Sequence, residues 1–242
     1  MKSLCTTPAE IGHLDKLLKL VSSKTIDGGE AWTAFSTPEK SKSFKRSEKP
    51  DVKVSFTAAE VSTYKKLRQA VQKKLHERCA GLCSYCRKPV GHYGWAWHIE
   101  HVLPKARYRV DTFKLSNLTV ACVHCNSWNG VRVDKHVVGR KLSIIDPSLK
   151  GFNYSQHLRF LQISTEDFSF AKYLPHSPEG IETYGKLSFE ELERAHAING
   201  LHAISMGLHD RLCRLMQSGL SAPDGHELVD LLAHLKLSIY RK

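Results

Sequence analysis

Two pairs of cysteines constrain the fold of this chain more than any other feature of its sequence. Cys83 and Cys86 are separated by two residues, and Cys122 and Cys125 repeat that spacing. Both sulfur atoms of such a pair can reach one metal ion from a tight turn, and two pairs match a tetrahedral four-thiolate zinc site. Zinc with four protein ligands has no open position for water, so we expect a structural ion that closes the segment between the pairs.

The remaining cysteines do not suggest disulfides. The chain has seven cysteines, and an odd total with paired spacing favours metal binding in a reducing compartment. Cys79 could compete as a zinc ligand, but the three residues between it and Cys83 are a less typical spacing. We interpret Cys79 as a core thiol, together with Cys5 and Cys213.

Length and hydropathy favour a soluble protein. The 242 residues can bury a substantial core. The sequence has no apolar run near the roughly 18–20 residues that span a bilayer, and its first residues lack the apolar stretch of a signal peptide. We therefore expect a cytoplasmic protein with no membrane association.

The net charge of +12 is unevenly distributed along the chain. Residues 1–80 carry 16 basic and 9 acidic side chains, residues 81–150 carry 11 and 4, and residues 151–242 carry 9 and 11. Lys and Arg displace the counterions that condense on nucleic acids, so the basic part fits phosphate binding. Simple solubility is an equally good explanation of the charge alone.

The pattern of polar and apolar residues divides the chain into three parts. Residues 1–56 form an N-terminal extension whose polar segment 36–53 is expected to be flexible, as a linker or as a basic arm for nucleic acid. Residues 57–150 form the central domain, and residues 151–242 form a helical C-terminal region that fits contact with a partner protein.

Helical signals flank the cysteine pairs. Thr57 and Glu60 form a capping box, and apolar residues then recur at helical spacing up to Cys79. Runs at 95–99 and 118–121 are typical of strands. A second capping box at Ser188–Glu191 predicts a helix, and a last helix is expected from about Asp224.

The segment between the cysteine pairs contains a candidate catalytic strand. It reads Trp97-His-Ile-Glu-His-Val-Leu-Pro-Lys105 and ends at a proline-containing loop. Because successive strand residues face opposite sides, His98 and Glu100 share one face. His101, at the end of the strand, is expected to turn toward the same cleft.

These elements together resemble the HNH endonucleases. The family pattern is a C-x-x-C pair, an acidic residue and histidine followed by proline, an Asn-Leu before a strand, and a C-x-x-C-N entering a helix. The chain has these elements in the same order: Cys83/Cys86, Glu100-His101 with Pro104, Asn117-Leu118, and Cys122/Cys125 with Asn126. The resemblance implies an α+β fold with a ββα-metal (His-Me finger) core and structural zinc, flanked by an N-terminal helix and a mostly helical C-terminal lobe.

The resemblance also implies roles for individual residues. His101 matches the general base, since a neutral imidazole can take a proton from the attacking water. Glu100 and Asn126 match ligands of one catalytic Mg²⁺ or Mn²⁺ ion, which prefers oxygen donors. His98 is either a further ligand to metal or phosphate or a packing residue. Asn117 matches the asparagine that braces the loop and orients the histidine.

Two positions near the second pair each have two interpretations. His124 is either incidental or a phosphate contact. Asn129 stands where the family often has lysine or histidine, so Lys105, Arg107 or Arg132 could supply the positive charge instead. If Asn129 is itself a metal ligand, Asn126 only positions it.

A looser resemblance links the chain to the HNH subunits of Septu-type anti-phage systems. It rests on the order of Ile144–Pro147, Tyr154–Leu158 and Gly180–Gly185. It implies DNA cleavage in a defence complex with a separate ATPase as partner. Three alternatives stay open: a non-catalytic zinc module that binds nucleic acid, an HNH nuclease acting on RNA, and a nuclease of phage DNA processing.

Overall fold

The chain consists of two compact units. The computed structural model describes residues 1–47, 50–91, 94–127, 133–164 and 169–197. The first unit comprises residues 1–153, and the second comprises residues 154–242. In the described part, none of the helices combines the length and the apolar character needed to cross a bilayer.

The first unit combines helices with three short antiparallel strand pairs. Its helices are α1 (Pro8–Ser22), α2 (Gly28–Ser36), α3 (Ala58–Arg78) and α4 (Val123–Ser127). Its strands are β1 (Ser41–Phe44), β2 (Val52–Ser55), β3 (Trp97–His101), β4 (Leu118–Cys122), β5 (Val137–Val138) and β6 (Lys141–Leu142).

Helix α3 forms as the sequence predicts. The Thr57 hydroxyl accepts a hydrogen bond from the Glu60 amide, and the Glu60 carboxylate accepts one from the Thr57 amide, so the capping box is confirmed. The helix then buries an apolar stripe on one side: Tyr64, Leu67, Val71 and Leu75. It ends at Arg78, so it leads directly into the first cysteine pair.

The N-terminal region is more ordered than the sequence indicates. Segment 36–53, expected to be flexible, contributes β1 and the first half of β2, and the two strands pair with Ser41 opposite Ser55. Arg46 stabilises the end of this hairpin, because its guanidinium donates two hydrogen bonds to Glu30 at 2.7 and 2.5 Å. The expectation of flexibility rested on low apolar content, whereas the order comes from this side-chain ion pair and from burial of Phe56 just after β2.

Aromatic side chains connect α2, α3 and the loop before β4. Phe35 of α2 lies 6.2 Å from Tyr64 of α3 and 5.6 Å from Phe113, measured between ring centroids. Trp32, one turn earlier in α2, lies 5.3 Å from Phe35. The N-terminal helices therefore share one core with the central segment.

Strands β3 and β4 carry the segment between the cysteine pairs. They are antiparallel, with Trp97 opposite Cys122 and His101 opposite Leu118. All five residues of β4 are buried, and α4 follows β4 directly. This order of two strands and a helix brings the second cysteine pair beside the first.

The second unit contains a long hairpin that the sequence did not predict. Strands β7 (Leu158–Ser164) and β8 (Ser169–Pro175) precede helices α5 (Pro178–Lys186) and α6 (Phe189–Ala197). The expectation of a mostly helical region is therefore corrected for residues 154–197. In the hairpin, Phe160 stacks on Tyr173 at 4.4 Å, and such cross-strand aromatic pairs stabilise a β structure.

The helix starts in this unit also differ from the expectation. Ser177 caps α5 by accepting a hydrogen bond from the Gly180 amide. Ser188 has a positive φ of 51° instead of the extended conformation usual for a capping residue, although α6 does begin right after it. The helix expected from Asp224 and the thiol of Cys213 lie outside the described residues.

Candidate active site and metal centre

The four cysteines predicted to bind zinc lie together in the first unit. Their sulfur atoms lie within 4.8 Å of one another, and all four residues are buried. The sulfurs of Cys86 and Cys122 are 3.6 Å apart, too far for a disulfide bond. Tetrahedral zinc with bonds of about 2.3 Å would separate its sulfurs by about 3.8 Å, so the cluster is compatible with a zinc site.

Backbone hydrogen bonds hold the first cysteine pair in a tight turn against β4. The Cys83 carbonyl accepts from the Arg87 amide, and the Cys83 amide donates to the Lys88 carbonyl. The Ser84 amide donates to Val120 of β4, and the Cys122 amide points at the Cys83 sulfur from 3.3 Å. The two pairs are thus arranged by backbone contacts.

The electrostatics of the cluster favour a bound cation. Burial raises the pKa values of the Cys86 and Cys125 thiols, so neither ionises easily alone. Hydrogen bonds from neighbouring cysteine thiols hold the pKa of Cys122 well below its ordinary range. A metal ion would replace the thiol protons and neutralise the charge. Cys79 lies outside the cluster, with its sulfur 3.1 Å from the Ser84 hydroxyl, as expected of a core thiol.

His101 is held in a fixed orientation at the end of β3. Its Nε2–H donates a hydrogen bond to the Thr112 carbonyl at 3.1 Å, which leaves the lone pair on Nδ1. The Trp32 ring meets the imidazole edge to face, with centroids 4.4 Å apart and planes at 88°. Burial, and secondarily the positive charge of Lys105, lower the pKa of His101 to about 3. The imidazole is therefore neutral at physiological pH.

Asn117 connects both ends of the loop that follows His101. Its side-chain oxygen accepts a hydrogen bond from the Leu103 amide at 2.8 Å, and its amide group donates to the carbonyls of Leu103 and Asp111. Asn117 is itself buried. These contacts fix the backbone on either side of Thr112, the hydrogen-bond partner of His101.

Two of the candidate residues for a catalytic metal site, His98 of β3 and Asn126 of α4, lie side by side. The Asn126 amide lies 2.6 Å from Nδ1 of His98, so α4 and β3 bring these two side chains together. His98 and Glu100 are two residues apart in β3 and share a face by strand alternation, and His101 is the last residue of the strand. The ring of His101 is buried and contacts Trp32 and the Thr112 carbonyl. Its turn toward the cleft of His98 and Glu100 stays a prediction.

Several residues around the site were not anticipated. Trp32 and Thr112 contact His101, and Tyr85 lies in the turn of the first cysteine pair. Tyr85 is buried, its hydroxyl has no hydrogen-bond partner among the described residues, and burial followed by the charge of Glu100 raises its pKa. The only sequence signal for Trp32 was the capping box of Asp27 and Glu30 that starts its helix.

The remaining positions near the second pair are only partly described. His124 is buried. Asn129 and Arg132, considered as a metal ligand and as a source of positive charge, lie outside the described residues.

Comparison with known families identifies the central segment. Residues 83–132 match the family model described as HNH endonuclease. This segment is an HNH endonuclease domain. It includes both cysteine pairs, β3, β4 and α4, and covers about a fifth of the chain. Searches of curated proteins and of solved structures returned no match for the chain.

The candidate catalytic residues lie inside the HNH domain, whereas one residue that contacts them lies outside it. His98, Glu100, His101, Asn117 and Asn126 all lie inside the match. Trp32, which packs on His101, belongs to the N-terminal helices outside it. The HNH family supports nuclease activity and a nucleic-acid substrate in general.

Proposed function

We propose that the HNH domain is catalytic and hydrolyses phosphodiester bonds in DNA, with His101 as the general base. The observation that carries this proposal is the hydrogen bond from Nε2–H of His101 to Thr112. It fixes the tautomer whose Nδ1 carries the lone pair that can accept a proton from water. Asn117 supports the geometry by bracing the loop that contains Thr112.

Glu100 and Asn126 would hold a catalytic Mg²⁺ or Mn²⁺ ion, with His98 beside them. Their carboxylate and amide oxygens are the hard donors that these ions prefer, and α4 already brings Asn126 against His98. When bound, the ion would stabilise negative charge on the phosphate and on the leaving oxygen. The zinc cluster has a different role, because four thiolates leave no position for substrate.

We further propose that the protein acts as the nuclease of a bacterial anti-phage complex with an ATPase partner. The support is the order of the motifs at Ile144–Pro147, Tyr154–Leu158 and Gly180–Gly185. Co-purification with the product of a neighbouring ATPase gene would test this role, and a complex that fails to form would contradict it.

A second candidate is a zinc-braced module that binds nucleic acid without cutting it. The observation that favours it is the burial of His101, which is only 3% exposed. This candidate predicts binding with a steep salt dependence and no cleavage in any metal.

Cleavage assays on the full chain separate these candidates. Supercoiled plasmid and single-stranded RNA are incubated with protein in Mg²⁺ or Mn²⁺, with and without the ATPase partner. We expect His101→Ala to lower DNA cleavage by at least about 100-fold, the usual contribution of a general base. Glu100→Gln and Asn126→Ala should do the same and raise the metal concentration required.

The matched control is His176→Ala, which removes an exposed histidine of the second unit. It should cleave like the wild type. If His101→Ala cuts as fast as the wild type, the catalytic assignment is wrong. If no metal or partner gives cleavage although DNA binds, the second candidate is correct, and preferential cutting of RNA would correct the substrate.

A further inference from the structure

A basic surface lies beside the proposed catalytic histidine. The loop after β3 carries Lys105, Arg107 and Arg109, and no carboxylate occurs between residues 104 and 110. The first acidic residue of the loop, Asp111, is buried. The same loop ends at Thr112, whose carbonyl accepts the hydrogen bond from His101. The basic residues therefore belong to the loop that positions the imidazole.

Arg140 reaches this loop from the short turn between β5 and β6. Its guanidinium donates to the Asp111 carboxylate at 2.8 Å and lies 5.1 Å from the centre of the Tyr108 ring. The guanidinium of Arg107 lies 5.5 Å from the same ring. Lys114 also pairs with Asp111 at 2.7 Å, so one carboxylate faces two cations and positive charge is left over. The Arg140 side chain is 59% exposed.

A surface cleft of about 330 Å³ continues from the same loop, with Arg109 in its wall. The hairpin and the end of α1 add further cations to it. Both of its carboxylates are already engaged, because Glu30 pairs with Arg46 and Asp27 caps α2. Among the residues that the structure describes, no carboxylate pairs with the remaining cations of the cleft: Lys24, Lys45 and Arg109.

We infer that Lys24, Lys45, Arg107, Arg109 and Arg140, with Tyr108, form a basic strip that binds the phosphate backbone of DNA beside the cleavage site. The inference rests on the proposed function for the choice of polymer. A guanidinium group beside an aromatic ring can donate several coplanar hydrogen bonds to the oxygens of one phosphate. The lysines of the cleft add positive charge that neutralises further phosphates. The strip extends substrate binding onto the N-terminal region, beyond the segment that matches the HNH family.

Binding of a fluorescein-labelled DNA duplex, measured by anisotropy without added Mg²⁺ or Mn²⁺, tests the strip apart from cleavage. The variants are Arg107→Ala with Arg140→Ala, and Lys24→Ala with Lys45→Ala. Each pair should lower affinity at least about tenfold and reduce the slope of log affinity against log salt by about 2 between about 50 and 200 mM.

The control pair is Lys73→Ala with Lys74→Ala, which removes the same charge from exposed positions of α3. It should change affinity less than about twofold, since losing non-contacting charge leaves the number of released counterions unchanged. The lysine pair of the strip has no ion-pair partner among the described residues, so its loss should not disturb folding. A thermal melt of each variant verifies this.

The outcomes distinguish the strip from the nuclease proposal. Strip variants that bind like the wild type, or a control pair that loses as much affinity, would overturn the strip whatever the cleavage result. Weakened binding in the strip variants supports the strip even if the wild-type protein cuts nothing, in which case only the catalytic proposal fails.

Discussion

At the scale of single residues, His101 depends on neighbours that lie far away in sequence. Trp32 supplies an edge-to-face contact at 4.4 Å, and Thr112 supplies the hydrogen-bond acceptor. Trp32 is itself held by Phe35 and Phe113, at 5.3 and 6.2 Å between ring centroids. We therefore regard Trp32 as a positioning residue, which acts through the histidine and does not touch the substrate.

Two substitutions of Trp32 should distinguish the effect of its apolar bulk on cleavage from the effect of its aromatic contact with His101. Trp32→Phe keeps an aromatic ring near the imidazole, whereas Trp32→Leu keeps apolar bulk only. An aromatic pair contributes about 0.5–1.5 kcal/mol beyond burial, so Trp32→Leu should lower kcat up to about tenfold with little change in KM. Steady-state cleavage kinetics measure the split. Equal kcat values for both variants would argue against a specific role of the ring contact.

The lowered pKa of His101 predicts a pH dependence of stability. In the folded protein the pKa is about 3, whereas the ordinary value is 6.5. As pH falls below 6.5, the unfolded chain takes up a proton that the folded chain does not, so the free energy of unfolding decreases by up to about 1.4 kcal/mol per pH unit. Above pH 6.5 this contribution is constant.

Urea unfolding of the wild type and of His101→Gln at about pH 7.5 and about pH 5.5 measures this effect. Glutamine keeps a donor for Thr112 but does not titrate. The stability of the variant relative to the wild type should rise by about 1.4 kcal/mol at the lower pH. An unchanged difference would mean that the pKa of His101 in the folded protein equals its ordinary value, and a difference of opposite sign would mean that the folded imidazole is protonated.

At the scale of elements, α2 and the loop after β3 approach each other closely at one glycine. Gly28 begins α2, and a Cβ atom there would lie 2.1 Å from the Lys105 carbonyl oxygen and 2.7 Å from the Thr112 hydroxyl. Both neighbours belong to the loop that positions His101. The absence of a side chain at Gly28 thus lets the helix that carries Trp32 reach the histidine.

Gly28→Ala should push α2 away from this loop. Because the clash is with backbone, we expect a loss of about 1–3 kcal/mol in the free energy of unfolding and a lower cleavage rate. The control is Gly12→Ala in α1, where a Cβ would meet nothing within 4 Å. That change should stabilise by about 0.5–1 kcal/mol, since alanine favours a helix over glycine. Equal stability of both variants in thermal unfolding would refute the close approach.

At the scale of the whole molecule, the four-cysteine cluster lies where elements of the central segment meet. Strands β3 and β4 form a sheet of only two strands, which is marginal by itself in water. The first cysteine pair follows α3, and the second lies at the junction of β4 and α4. A metal at this junction would join three elements to one point.

Metal removal should therefore unfold more than the cluster. A strong chelator, or Cys122→Ser, is expected to release about one zinc per chain and to lower the melting temperature of the first unit. Cys79→Ser serves as control, because its thiol lies outside the cluster. Elemental analysis with circular dichroism gives both quantities. Full retention of structure after complete zinc loss would contradict a structural role.

Local sequence patterns determined those parts of the protein that depend on spacing. The two C-x-x-C pairs specified the four-cysteine cluster, because a turn of two residues already aligns both sulfurs of a pair. The capping box of Thr57 and Glu60 specified the start of α3, because its hydrogen bonds span only three residues. The order of the HNH motifs also pointed to the HNH domain, because each motif is a short stretch of sequence that can be read without knowing the fold.

Tertiary structure decided what surrounds His101. Its contact with Trp32 joins residues 69 positions apart in sequence, so no local pattern encodes it. The hairpin of β1 and β2 is stabilised by the pairing of Arg46 with Glu30, 16 positions away. Composition alone does not reveal this contact and predicted a flexible segment. The sequence by itself determined the cysteine cluster and the candidate catalytic residues, because these depend on local spacing, whereas only long-range packing decided that Trp32 of α2 lies against the histidine.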